Sequence, residues 1–147
     1  LKNEAAVPVW LIGTSAGTFS AAFGAITSGK NINGLVLTST VTRTPPAWLL
    51  AKNFPNGVAD LALSDITVPT LIMSHRGDLC IATPAADAAM LRTRLRNTSK
   101  AEIALLDGGD APQSPPCEAK AAHGYFGIEA EAVDTMVRFI NSNSNSK

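Results

Sequence analysis

Several things are scarce in this sequence, and each shortage removes a class of explanation. There is no excess of charge, since 12 basic residues balance 12 acidic ones without blocks of either sign. A partner recognised by charge alone, such as nucleic acid or an anionic membrane surface, is therefore not expected. No apolar run is long enough to span a bilayer. Histidine and cysteine occur twice each, with no spacing that would assemble a metal site, and no dinucleotide fingerprint follows the first strand. Hence no cofactor and no metal are expected. Internal repeats are lacking too, and 147 residues make one domain with a real core.

What is present is concentrated first in residues 7–22, V-P-V-W-L-I-G-T-S-A-G-T-F-S-A-A. A β-rich run over residues 7–12 halts at Gly13 and restarts as a helix of small residues, so the chain reads strand, tight turn, helix. Ser15 stands at that turn. Glycines on either side let the backbone bend sharply and let helix and strand approach closely, which lifts the serine above the sheet edge. The unpaired N–H groups of the helix start, Ala16 first among them, then face any negative charge that develops beside it. A Gly-rich turn of this kind also suits a phosphate, so a non-catalytic module binding a phosphate or nucleotide at G-T-S-A-G-T is the competing reading.

Further along, helical spacing covers residues 17–28, with Gly29 as a stop. A continuous apolar run at residues 35–38 predicts a strand buried on both faces. Residues 42–56, interrupted by proline but carrying Trp48, Leu49, Leu50 and Phe54, form either a short lid or an ordinary connection that plugs the core. Residues 58–64 fit a short helix, and residues 68–74 a third strand. Asp78 follows in the loop 75–82, past that strand's carboxyl end, where open α/β sheets build their sites. Thr83 is expected to cap a helix running to about Arg96, with Pro84 at its first position. Residues 101–106 read as a fourth strand, and the Gly- and Pro-rich loop 107–127 carries His123. A last amphipathic helix occupies residues 128–140. The tail 141–147, N-S-N-S-N-S-K, is expected to be disordered.

Strands alternating with helices predict an α/β fold, a mostly parallel sheet with helices on both faces, spanning residues 1–140 as a domain or half-domain. Right-handed crossovers put every strand's carboxyl end on one edge, so Ser15, Asp78 and His123 meet there in that order. Asp107 and Asp110 are less suited than Asp78 because they share the flexible His loop, and His75, beside Arg76 at a strand end, reads as structural. The order and contexts resemble the α/β-hydrolase superfamily, from its nucleophile strand onward. That resemblance implies a serine hydrolase, esterase- or lipase-like, with Ser15 as nucleophile, His123 as base and Asp78 as acid. Ala16 N–H would be one oxyanion donor. The substrate would be a small apolar or acyl-type ester, thioester or amide, with Trp48, Leu49, Leu50, Tyr125 and Phe126 as an apolar wall. A hydrolase-like protein without activity has the same sequence features.

The same resemblance brings Cys80 and Cys117 together, because one lies two residues past Asp78 and the other six before His123. A disulfide there implies a periplasmic or secreted protein, whereas reduced cysteines would imply the cytoplasm. The family's earlier strands, and the loop that gives its second oxyanion N–H, have no counterpart in this sequence. The chain also opens on Leu1, almost directly on a strand. We therefore expect a missing N-terminal half, or a partner chain, to cover the strand at residues 7–12, which would otherwise be an apolar edge.

Overall fold

A computed structural model describes residues 7–144. Strands β1 (Trp10–Thr14), β2 (Gly34–Thr38), β3 (Thr70–His75) and β4 (Ala101–Leu106) form one parallel sheet. Their order in the sheet is their order in the chain. Register runs from Trp10 opposite Gly34, through Leu35 opposite Thr70, to Thr70 opposite Ala101. All positions of β2 and β3 are buried, as the continuous apolar runs require.

Helices cover both faces. Leu35, Leu37 and Ile72 pack with Phe19, Ala22 and Ala25 of α1 (Gly17–Ser28) and with Ala88 and Leu91 of α2 (Ala88–Arg94). The alternate residues Val36, Leu71 and Met73 pack with Ala132 and Phe139 of α3 (Glu129–Ser144). The period of two along each strand thus divides the core into two layers, giving the α/β three-layer arrangement. Trp10 closes the second layer against Phe139, its ring edge-on at 5.8 Å. Among the described residues no helix is long and apolar enough to cross a membrane.

Local details depart from the sequence reading for identifiable reasons. The first strand is shifted to Trp10–Thr14, because pairing begins where Gly34 is opposite Trp10. Residues 58–64 form two 3-10 turns, Gly57–Asp60 and Leu63–Asp65, in place of one helix. The segment 42–56, read as a short lid or an ordinary connection, has a single 3-10 turn, Leu49–Lys52, and is held at its base by Thr44 N–H on Pro55 O. The stretch expected to be disordered is helical through Ser144, with polar side chains bonded both within α3 and to β1. Asn143 Nδ2 donates to Phe139 O, and Ser144 Oγ accepts the Trp10 indole N–H at 2.9 Å. Residues 145–147 of that tail lie outside the described residues.

Candidate active site

The turn after β1 is built by one glycine and one strained serine. A Cβ on Gly13 would fall 2.6 Å from Gly17 O and 2.7 Å from Ala21 Cβ, so only glycine lets α1 pack this closely. Gly17, by contrast, has open space and an ordinary backbone, so it is not what permits the bend. The strain sits on Ser15 itself, whose φ is 52°. It is held there by its N–H on Thr38 O at 3.0 Å and by its carbonyl, which accepts from Thr18 N and Thr18 Oγ1. Neither Ser15 Oγ nor Ala16 N–H has a hydrogen-bond partner among the described residues. Both are therefore left unpaired within the described fold.

Asp78 and His123 form a buried pair. His123 Nδ1 lies 3.0 Å from Asp78 Oδ2, with the Asp78 side chain fully buried and the His123 side chain 5% exposed. A carboxylate only accepts, so in this contact the His123 proton is on Nδ1. Cys80 N–H donates to Asp78 Oδ1 at 2.9 Å, and Thr83 Oγ1 donates to Oδ2 at 2.8 Å while lying 3.1 Å from His123 Nδ1. Thr83 was the expected helix cap. Its hydroxyl instead goes to Asp78, and Pro84 stands at the cap position of a 3-10 turn that leads into α2.

The two loops that carry this pair are fastened to each other. Cys80 and Cys117 are joined by a disulfide across 37 residues, linking the acid loop to the His loop. His75 adds a second tie, since its Nδ1 accepts Gly77 N–H at 2.9 Å and its Nε2 donates to Gly108 O at 3.0 Å. Closing a loop of this size stabilises the fold by about 3–4 kcal/mol in the chain-entropy picture, which is about 10 °C in a protein of this length. Reduction with a thiol should therefore lower the melting temperature by about that amount, as followed by circular dichroism. An unchanged transition would show that the disulfide leaves the unfolded chain unconstrained.

Tyr125, expected on an apolar wall, lines a cleft but is itself buried, in the left-handed region at φ 60°, and donates its hydroxyl to Met73 O at 3.0 Å. Burial pushes its phenol up from 10.0 to about 12, with hydrogen bonds from Ser39 opposing and the Asp78 carboxylate adding a smaller rise. The unfolded chain then ionises first, so the stability present below pH 10 is lost as pH rises through about 12. The expected loss is about 2–3 kcal/mol. Urea titrations should show this slope in the parent and a shallower one in Tyr125→Phe. Equal slopes would place the alkaline transition elsewhere.

The remaining wall residues are open. Leu49 is 98% exposed, Trp48 and Leu50 are partly so, and Phe126 is half-buried. Leu79 and Ile81, which the sequence reading passed over, project on either side of buried Cys80 and are both more than three-quarters exposed. Asp107 and Asp110 are exposed, and Asp107 Oδ1 accepts only the N–H of Gly108. A cavity of about 690 Å³ lies at the amino ends of the strands, beside Val68, Pro69 and Lys100, away from Ser15, Asp78 and His123. A smaller apolar cleft of about 210 Å³ runs from Thr14 past Tyr125 to Val133 and Met136. No group of three or more His, Cys, Asp or Glu side chains among the described residues is placed to hold a metal ion.

No protein-family model and no curated protein sequence matches this chain. Solved structures do. The monoacylglycerol lipase of Paleococcus ferrophilus superposes with a TM-score of 0.55 at 16% identity, over 93% of this chain and 71% of its own. NosK from Streptomyces actuosus gives a TM-score of 0.57 at 16% identity, over 92% and 70%. The acylaminoacyl peptidase of Pyrococcus horikoshii gives 0.54 at 12% identity, over 86% of this chain but 24% of its own.

Proposed function

Because the chain carries an α/β-hydrolase fold, with a serine at the turn after its first strand, we propose that it is a serine hydrolase acting through an acyl-enzyme. The observation that carries this reading is the buried Asp78–His123 pair, which leaves His123 Nε2 as a base on the sheet edge that bears Ser15. His123 Nε2 takes the Ser15 hydroxyl proton as Oγ bonds to the carbonyl carbon of an ester, thioester or amide. The carbonyl oxygen becomes an oxyanion facing Ala16 N–H, and the leaving group departs with the proton from His123. Water, deprotonated by the same nitrogen, then cleaves the acyl–serine bond and restores Ser15. Asp78 stabilises the imidazolium throughout.

The reading extends to an N-terminal portion, or a partner chain, lying along β1. Ile12 is 53% exposed on that edge, and the adjoining cleft reaches exposed Val133 on α3. The same portion would bring the second oxyanion donor, without which catalysis is weaker by about 100- to 1000-fold. Exposed Leu49, Leu79 and Ile81 fit a small apolar or acyl-type substrate, and the disulfide fits a periplasmic or secreted protein.

A fluorophosphonate probe tests the central claim. It should label the intact protein once, at Ser15, and the labelled species should carry more chain than residues 1–147 or copurify with a second polypeptide. Absence of label on Ser15 would refute the catalytic reading, and a labelled species of this chain alone would refute the second part.

A further inference from the structure

Among the described residues three besides glycine have positive φ: Ser15 at 52°, Ser39 at 42° and Tyr125 at 60°. All three stand at the sheet edge that carries the triad, and Ser39 links the other two. It follows directly on β2 and is fully buried. Its N–H donates to Met73 O at 2.9 Å, the same carbonyl that accepts the Tyr125 hydroxyl. Its own hydroxyl donates to His123 O at 2.8 Å, with Tyr125 Oη 3.4 Å away. His123 O has no other donor among the described residues. The preceding residue, Thr38, accepts the Ser15 N–H. Two successive residues at the end of β2 therefore hold the backbones of both the nucleophile and the base.

A left-handed backbone at a buried site favours glycine, which would fit without strain. Serine at Ser39 is unfavourable for the backbone, and what it adds is one hydroxyl aimed at His123 O. We propose that Ser39 is a positioning residue that sets the height of the His123 ring over Ser15. It acts through the His123 carbonyl and touches neither substrate nor reacting atoms. The inference rests on the serine-hydrolase reading above, in which the Ser15–His123 separation governs proton transfer. Misplacement of a catalytic group by about 1 Å can lower a rate by about 100-fold.

Ser39→Gly separates this role from a merely structural one. It relieves the strained backbone while deleting the hydroxyl, so the melting temperature should stay within a few degrees of the parent. Activity should not follow. In the intact protein, kcat and the rate of fluorophosphonate labelling should both fall about 10- to 100-fold, with KM changed less than about threefold. Ser39→Ala deletes the hydroxyl and keeps the strain, so it should show the same loss of kcat with a lower melting temperature than Ser39→Gly. Parental kcat in either folded variant would overturn the proposal.

If the parent itself fails to label, the hydrolase reading falls. Ser39 is then judged by nuclear magnetic resonance, through the His123 Nδ1 proton. That proton should exchange with water at least about tenfold faster in Ser39→Gly than in the parent, and equal exchange would overturn the hold on His123.

Discussion

Replacing Ser15 with alanine should abolish fluorophosphonate labelling and lower kcat by about 10⁴- to 10⁶-fold, leaving the fold intact. The size of the effect follows from the chemistry. Without Oγ there is no covalent intermediate, and any remaining turnover comes from substrate binding and the Ala16 N–H. Ser15 Oγ makes no hydrogen bond among the described residues, so its removal leaves no buried group unpaired, and stability should change by less than about 0.5 kcal/mol. Ser15→Gly sharpens the test. It removes both the nucleophile and the strain of a φ of 52°, so it should be inactive yet more stable than the parent by about 1 kcal/mol. Activity retained in either variant would mean that another residue is the nucleophile. Urea denaturation and steady-state ester hydrolysis are the two measurements required.

Asp78→Asn should have the next largest effect, a fall in kcat of about 10⁴-fold with a much smaller change in KM. Three donors converge on this carboxylate: Cys80 N–H on Oδ1, and Thr83 Oγ1 and His123 Nδ1 on Oδ2. An amide can replace only one acceptor. If its NH₂ takes the place of Oδ2, His123 must accept at Nδ1 and carry its proton on Nε2, where it can no longer act as a base. If it takes the place of Oδ1, it opposes Cys80 N–H in a buried site. Either orientation leaves unpaired groups, with a stability loss of about 1–3 kcal/mol. Nitrogen chemical shifts of the His123 ring distinguish the tautomers. A variant within tenfold of parental kcat would show that Asp78 does not orient the base.

How much of this could be read from sequence depended on whether a residue's signal was local. α1 lies where helical spacing and Gly29 placed it, and β4 where the run A-E-I-A-L-L placed it. The start of β1 was misplaced because Val7, Pro8 and Val9 look like strand, whereas the ladder is set by where Gly34 lies on the neighbour. The pairing of Asp78 with His123 was legible because sheet topology alone carries the loops after β3 and β4 to one edge, the edge where the turn bearing Ser15 also stands. The parts around them were not. Thr83 followed by Pro84 reads as a helix start, and nothing in that dipeptide says that the hydroxyl turns to an acid five residues earlier. Ser39 sits in an unremarkable S-T-V-T context, and only its left-handed backbone and its bond to His123 O set it apart. Tyr125 reads as part of an apolar wall, and nothing in its neighbourhood says that its hydroxyl finds Met73 O in the core.

The arrangement of the sheet also bears on how the chain is made. Because the strands stand side by side in the order of synthesis, each can add to its predecessor as the chain leaves the ribosome, with no later strand forced between two earlier ones. Ser15 is then in place early, while Asp78 arrives with the third strand and His123 only after the fourth. The Asp78–His123 pair therefore forms only once β4 and the loop that follows it have been made.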